Sequence, residues 1–196
     1  MKAASWAAVL ALLAGTTAAE AQVVTKQYDD GGVYEGTFRN GRQHGQGSYT
    51  LPNGYRYEGD WVEGEILGRG RATFPNGSVY EGQFAEGKPN GTGTITYPDG
   101  ASYSGQWKAG VIEGEGKATY ANGMVYEGGF RNARNHGLGR MTYPDGYVYT
   151  GAWADGQRHG EGQATYADGT VYTGGFVNGL REGQGKLTTP DGFFYE

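Results

Sequence analysis

A pattern that restarts every 23 residues constrains this chain more than any other feature. It opens with a tyrosine at eight equally spaced positions: Tyr34, Tyr57, Tyr80, Tyr103, Tyr126, Tyr149, Tyr172 and Tyr195. No insertion or deletion interrupts the register. A fixed period of this length is typical of repeat proteins, in which each unit packs mainly against its neighbours. The sequence therefore predicts an array of small equivalent units.

The period divides the chain into definite segments. A partial leading unit at 22–33 precedes seven full units, numbered 1 to 7 here, at 34–56, 57–79, 80–102, 103–125, 126–148, 149–171 and 172–194. Residues 195–196 open an eighth, truncated unit. Because the repeat accounts for every residue after position 21, we predict no separate catalytic domain within this sequence.

Residues 1–21 follow a different pattern. Lys2 gives a positive start, residues 3–14 are largely apolar, and Ala19-Glu20-Ala21 fits a small-x-small cleavage site. These features predict a signal peptide that is cut after Ala21, so that the protein is exported and is periplasmic or secreted. The alternative is an N-terminal helix or anchor, but the apolar run is shorter than the roughly 20 residues of a membrane-spanning helix.

Each full unit carries two stretches with the alternation of β-strands. In unit 1, Tyr34, Gly36 and Phe38 alternate with polar residues, and Gly47 and Tyr49 do the same further on. A period of two places the aromatic rings and the glycines on one face and the polar side chains on the other. Tyrosine, phenylalanine, tryptophan and threonine suit a pleated, half-buried surface.

Short turns connect these strands. Asn or Asp followed by Gly ends the second strand of every unit, as in Asn76-Gly77, and another glycine marks the turn within each unit except the fifth. There Ala133 replaces it, and Asn132 is expected to take the left-handed conformation instead. The predicted fold class is all-β: an elongated, curved, single antiparallel sheet of stacked β-hairpins with about 14 strands, on the order of 70 Å long.

The largest aromatic position of the unit alternates between two residue types. It holds Phe38, Trp61, Phe84, Trp107, Phe130, Trp153 and Phe176 in turn, which gives a second period of 46 residues. Either an ancestral duplication or a difference in packing between alternate units explains this alternation, and the sequence leaves both open.

The recurring pattern Tyr-x-Gly-x-Trp/Phe-x-x-Gly, followed by Gly-x-Gly, resembles the MORN repeat (membrane occupation and recognition nexus). Unit 2 carries it as Tyr57-Glu58-Gly59-Asp60-Trp61 with Gly64, Gly68 and Gly70. The resemblance covers nearly all of residues 28–196. It implies hairpins stacked into a curved sheet with an aromatic-lined groove. It also implies a scaffold role, with protein contacts, self-association and, in some members, association with phospholipids.

The residues that invite a catalytic or metal-binding interpretation are all explained by the repeat. Three histidines share one position of the unit: His44, His136 and His159. Four glutamates form a column on the polar face: Glu35, Glu58, Glu81 and Glu127. The Gly-x-Gly pairs lack the lysine of a phosphate-binding loop. A solvated column gives its carboxylates one common environment, whereas acid–base catalysis needs two different ones. We therefore predict no enzyme activity, no cofactor and no metal site.

Two binding features remain. The aromatic residues of the tryptophan-bearing units are candidates for ligand contact in a groove: Tyr57, Trp61, Tyr103, Trp107, Tyr149 and Trp153. The alternative is that these rings form the core. The second feature is apolar turns in units 2 and 4, at Ile66, Leu67, Val111 and Ile112, which are candidates for a contact along one edge.

We predict a non-enzymatic scaffold or protein-interaction module of the cell envelope, which binds a protein partner or itself as a homodimer. Exposed sheet edges motivate the self-association, because unpaired strands pair readily. The alternative is a module that binds phospholipid or glycan in the aromatic groove. The formal net charge of −5 and the dispersed cations argue against anionic lipid and exclude nucleic acid as a partner.

Overall fold

The computed structural model describes residues 22–196, and within them the fold is all-β. The strands are β1 (Val24–Gln27), β2 (Val33–Arg39), β3 (Arg42–Thr50), β4 (Arg56–Val62), β5 (Glu65–Thr73), β6 (Val79–Ala85), β7 (Lys88–Thr96), β8 (Ser102–Lys108), β9 (Val111–Thr119), β10 (Val125–Arg131), β11 (Arg134–Thr142), β12 (Val148–Ala154), β13 (Gln157–Thr165), β14 (Val171–Val177), β15 (Leu180–Thr188) and β16 (Phe194–Tyr195).

All the strands form one antiparallel sheet in the order of the sequence, so each strand pairs only with its chain neighbours. This confirms the predicted fold class of stacked hairpins. The count of about 14 strands was low, because the partial units at both ends add β1 and β16. The predicted signal peptide, residues 1–21, lies outside the described residues.

The hairpin turn within each unit has two consecutive residues in the left-handed region. In unit 1 these are Asn40 with φ 51° and Gly41 with φ 77°. Two positive φ values match the right-handed twist of the flanking strands, which is why two-residue hairpins favour this turn. In unit 5, Asn132 is left-handed as predicted, but Ala133 is left-handed as well, with φ 59°. The prediction that Asn132 would adopt the left-handed conformation in place of Ala133 was therefore wrong.

Each hairpin of a full unit contains a bulge that changes which residues lie opposite one another. In unit 1, Gly36 pairs with Gly47, but Phe38 pairs with Gln43, so the second strand holds two additional residues between the pairs. Gly45, in the middle of this bulge, has φ 79°. The bulge therefore places Gln43, and not Gly45, opposite the aromatic ring within the hairpin.

The core is a continuous ladder of aromatic rings on one side of the sheet, which we call the ladder face. Tyr34 lies edge-on between Phe38 of its own unit and Trp61 of the next, with ring centroids 5.1 Å apart in both cases. Its hydroxyl donates to the carbonyl of Thr37 at 3.0 Å. The first tyrosine of every full unit is buried, and its ring covers two glycines that face each other across the hairpin.

A second layer of side chains, contributed mainly by the turns, covers the ladder. It contains partly buried rings from successive units: Tyr28, Phe74, Tyr97, Tyr120, Tyr143 and Tyr166. A single sheet leaves one face of its aromatic side chains in water unless something packs on them. These turn aromatics supply that cover, so the outermost surface of the ladder face belongs to the turns.

Candidate interaction surface

The six aromatic residues predicted to contact a ligand lie in the core. Tyr57, Trp61, Tyr103, Trp107, Tyr149 and Trp153 are between 0 and 8% exposed. Of the two roles that the sequence left open, burial favours the core, because the turn aromatics cover these rings. Direct ligand contact by them stays a prediction, and of the six residues Trp107 is the one that lines the groove described next.

An open apolar groove of about 760 Å³ crosses the ladder face and is centred on unit 3. Its walls combine turn aromatics, ladder rings and residues of the hairpin tips: Leu51, Asn53, Tyr55, Phe74, Pro75, Phe84, Gly87, Lys88, Pro89, Ile95, Tyr97, Trp107, Gly110, Val111, Ile112 and Ala133. Sequence reasoning missed most of these positions. The aromatic residues that precede most of the Asn/Asp-Gly pairs were the signal that could have identified Phe74 and Tyr97 among them.

One position of the repeat determines how the chemistry of the ladder face changes along the array. It is the residue directly opposite the large ring of each hairpin, on the same face of the sheet, and we call these seven residues the partner column: Gln43, Ile66, Pro89, Ile112, Asn135, Arg158 and Arg181. The column is apolar in units 2 to 4 and cationic in units 6 and 7.

Residues of the partner column contact the turn aromatics of the second layer. The Gln43 amide donates to the Tyr28 hydroxyl at 2.6 Å, and the Tyr120 hydroxyl donates to the Asn135 side-chain oxygen at 3.2 Å. Pro89 shares the wall of the groove with Phe74. The ladder face is therefore a row of equivalent positions whose outer chemistry differs from unit to unit.

The guanidinium groups of Arg158 and Arg181 each lie over a tyrosine ring. The Arg158 guanidinium lies 5.7 Å from the centroid of Tyr149 and donates to the Tyr147 hydroxyl and the Gly179 carbonyl, each at 2.5 Å. The Arg181 guanidinium lies 4.9 Å from the centroid of Tyr172. Cation–π attraction favours these positions and leaves other N–H groups of the guanidinium groups free to bind.

The four residues predicted to form an edge contact do not share one surface. Ile66 is buried as a member of the partner column, whereas Ile112 is partly buried and Val111 is 43% exposed, and both of these line the groove. Leu67 is 42% exposed and lies outside the groove. Whether any of them contacts a partner stays a prediction.

The alternation of tryptophan and phenylalanine has a packing consequence. The indole N–H groups of Trp61, Trp107 and Trp153 donate to glycine carbonyls of the preceding unit at 3.1 to 3.2 Å. A phenylalanine ring has no donor for such a bond. Alternate units are therefore linked differently, a difference in packing that both explanations of the 46-residue period allow.

The polar face and the histidines show no assembled site. Within residues 22–196, no group of three His, Asp or Glu side chains could hold a metal ion. The His44 ring lies 3.6 Å from the Glu63 carboxylate, in a local contact next to the turn. Glu81 pairs with Arg71 at 2.8 Å, and the Lys117 ammonium, 2.7 Å from Glu127, lowers the pKa of that carboxyl.

Within residues 22–196, no helix is long and apolar enough to cross a membrane.

The buried tyrosines make the fold sensitive to alkaline pH. Burial raises the pKa of Tyr80, Tyr103 and Tyr149 from 10.0 to about 12. In the unfolded chain the same hydroxyls ionise near pH ~10. Because the folded state holds these protons more tightly, the stability that the rings contribute is complete below the unfolded pKa and is lost as the pH rises through the folded value.

We therefore expect the array to unfold cooperatively between pH 10 and 12. The measurement is a spectrophotometric titration of tyrosinate with circular dichroism recorded in parallel. The ladder tyrosines should ionise together with the loss of strand signal. Complete ionisation of all the tyrosines while the strand signal is intact would contradict this prediction.

The fold and this surface define an elongated repeat protein of the interaction-module class. The family model described as "MORN repeat" matches residues 34–54, 57–79, 80–102, 103–125, 126–146, 149–171 and 172–193. The chain therefore belongs to the MORN-repeat family, as the resemblance in the sequence implied. Proteins of this family are modules for interaction with proteins or membranes.

Individual relatives match more narrowly. Part of the chain, 22% of its length, is 45% identical to Alsin of Rattus norvegicus, and the match spans 3% of Alsin. The G-box domain of the microcephaly protein CPAP is similar in structure, with a TM-score of 0.55 and 11% identity over 88% of this chain and 90% of that one. That likeness concerns the fold alone.

The TCP domain of SAS-4 from Drosophila melanogaster, solved with a proline-rich motif of Ana2, has a TM-score of 0.49 at 15% identity, over 100% of this chain and 96% of that one. This score supports no inference about function.

Proposed function

We propose that this protein is a non-enzymatic scaffold of the cell envelope that holds an extended, apolar segment of a partner protein against its ladder face. The observation that carries the proposal is the groove of about 760 Å³ centred on unit 3. Most of its wall is aromatic or aliphatic, and it includes Pro75, Pro89 and Val111. Exposed apolar surfaces of this kind usually mark contact sites.

The size and lining of the groove favour a protein segment. Its volume falls in the range of roughly 300–1,000 Å³ that is typical of binding clefts. Its polar side-chain groups are the Asn53 amide, the Lys88 ammonium and the hydroxyls of Tyr55 and Tyr97, whereas most of its wall is apolar and suits apolar side chains. Anionic phospholipid is disfavoured by the net charge of −5 and by a groove with a single cation. An extended segment of apolar residues fits the apolar wall of the groove and does not need cations to bind it.

Export to the periplasm or the extracellular space is part of the proposal. Its support is the sequence of residues 1–21, with Lys2, the apolar run and the Ala19-Glu20-Ala21 site. A scaffold in either compartment would bind a partner that is also present outside the cytoplasmic membrane.

Random linear peptides displayed on phage provide the probe for the groove. The matched variants are Val111→Gln on the wall of the groove and Leu67→Gln outside it, because the two residues are equally exposed at 43% and 42%. For a synthetic peptide chosen on the unmodified protein, we expect Val111→Gln to weaken binding about tenfold, since a polar amide replaces a desolvated apolar contact. Leu67→Gln should stay within twofold.

Equal binding by both variants, or no enrichment of peptides over a surface without protein, would contradict the proposal. Flotation with vesicles that contain anionic lipid tests the phospholipid alternative. Light scattering of the free protein tests self-association: a homodimer that dissociates when the peptide is added would show that a second copy occupies the groove.

A further inference from the structure

The ladder face changes from apolar to cationic along the array. Every hairpin places one partner-column residue opposite its large ring, and the last two hairpins place arginines there. Arg158 and Arg181 are separated by one unit, or two strands, which corresponds to about 10 Å across the sheet. They lie beyond the groove, on the same face and along the same line.

The two arginines form an aromatic and cationic platform. The Arg158 guanidinium lies 5.4 Å from the centroid of Phe176 and 5.9 Å from that of Tyr147, and Arg181 lies 5.9 Å from that of Tyr166. Tyr147 also packs against Tyr166 at 5.3 Å. These rings and its two hydrogen bonds hold the Arg158 guanidinium in place, so a ligand would pay little conformational entropy to meet it.

Neither arginine is neutralised by a carboxylate. Among residues 22–196, ion pairs within 4.0 Å engage other cations, including Arg71, Lys117 and Arg131, but none engages Arg158 or Arg181. The same holds for other cations of the described residues, including Arg69 and Arg140, so it is the position of Arg158 and Arg181 on the ladder face that distinguishes them. Glu161, Glu182 and Glu196 line the same pocket as Arg181, but none of their carboxylates lies within 4.0 Å of its guanidinium.

The hydrogen bonds of Arg158 do not exhaust its capacity. A guanidinium has five N–H donors, and Arg158 uses one on the Tyr147 hydroxyl and one on the Gly179 carbonyl. Arg181 is exposed. Planar guanidinium groups with free donors match the geometry of a carboxylate, which accepts two parallel N–H bonds.

We propose that Arg158 and Arg181 bind acidic side chains of the same partner segment whose apolar residues fill the groove. This inference rests on the proposed function and specifies the class of partner: an extended segment with an apolar anchor followed by acidic residues. Ile112 and Arg158 are two units apart, about 20 Å, which an extended chain spans in about six residues. The acidic residues therefore lie about six and nine positions from the anchor.

The test uses random linear peptides long enough to span about 30 Å, displayed on phage and selected on protein purified from cells that express the full chain. Selection on the unmodified protein should return sequences with an apolar cluster and acidic residues at these spacings. Selection on the Arg158→Gln, Arg181→Gln double variant should return apolar clusters without the acidic residues.

A matched control removes two positive charges from the opposite face. Arg69 and Arg140 are exposed there and carry no ion pair with any residue in 22–196. A selected acidic peptide should bind the Arg158→Gln, Arg181→Gln variant roughly tenfold more weakly, as expected for two partly exposed ion pairs, and the difference should shrink at high salt. Binding to the Arg69→Gln, Arg140→Gln variant should change less than twofold.

A loss of fold is separated from a loss of contact by three further measurements. Thermal unfolding is recorded for each variant, and a purely apolar peptide should still bind the double variant. Arg158→Lys with Arg181→Lys keeps the charges but loses the paired N–H donors, so it should restore only part of the binding. Arg181→Gln alone provides the test if the Arg158 variant does not fold, because Arg181 is exposed.

The outcomes distinguish the two proposals. Apolar peptides without acidic preference, or an acidic peptide that binds all variants equally, would overturn the role of the arginines and leave the groove as the contact site. No selected peptide at all would overturn both proposals. Binding of anionic vesicles that depends on Arg158 and Arg181, without any acidic preference among peptides, would reject an acidic protein segment as the ligand.

Discussion

Gly70→Ala is expected to lower the free energy of unfolding by about 3 kcal/mol, because a methyl group has no space beneath the Tyr57 ring. A Cβ atom at this position would lie 2.5 Å from Tyr57 Cε2 and Oη and 2.6 Å from Cζ. The ring cannot move away, since it lies between Trp61 and Phe84 at 5.6 and 5.1 Å and its hydroxyl donates to the Asp60 carbonyl at 3.0 Å.

Gly87→Ala is the matched control for this substitution. Gly87 is in a hairpin turn with φ 70°, and no atom lies within 4 Å of the position that a Cβ would take. The chain tolerates alanine at the equivalent position of unit 5, where Ala133 has φ 59°. The left-handed conformation should cost about 1 kcal/mol. Urea unfolding measures both variants, and equal losses would show that the tyrosine ring does not require the glycine.

Trp107→Ala is expected to cost about 4 kcal/mol, the range observed when a large buried ring is truncated. Trp107 lies 5.1 Å from Tyr80 and 5.5 Å from Tyr103, so it joins units 3 and 4 of the ladder. Its indole N–H donates to the Gly93 carbonyl at 3.1 Å. In a repeat protein, stability is carried by contacts between neighbouring units, so a break here should uncouple the two halves of the array.

The control is Trp107→Phe, which introduces the residue that units 1, 3, 5 and 7 carry at this position. It retains the ring contacts and removes one hydrogen bond, for an expected loss of about 1 kcal/mol. Trp107→Ala should unfold in two resolved steps in urea, followed by circular dichroism, whereas Trp107→Phe should unfold in one. A single transition with an unchanged midpoint for Trp107→Ala would contradict the role of this ring as a link.

Much of the fold could be predicted because its determinants are local. The alternation of Tyr34, Gly36 and Phe38 identifies a strand and its buried face, and Asn-Gly pairs mark the turns. The prediction failed at Ala133, because the hairpin needs positive φ at both central residues and imposes this conformation on alanine as well. The preference of the two-residue hairpin for positive φ was stronger than the preference of alanine for negative φ.

The candidate surface was harder to predict, because it depends on which residues face each other across strands. The sequence singled out Trp61 and Ile66 as separate features, one in a groove and one at a turn. The bulge brings them opposite each other within one hairpin, and both are buried. The same shift places Arg158 opposite Trp153, a pairing that uninterrupted alternation would have assigned to Gly160.

The sequence by itself determined the repeat, the hairpins, the face on which the aromatic rings lie and the family to which the chain belongs, because a period of 23 residues and its turn residues act over short distances. Only the tertiary structure decided that the ladder is buried and that the groove and the two arginines form the exposed surface above it. The physical reason is that both results depend on contacts between units: turn aromatics fold over the rings of the ladder, and the bulge sets the register across each hairpin.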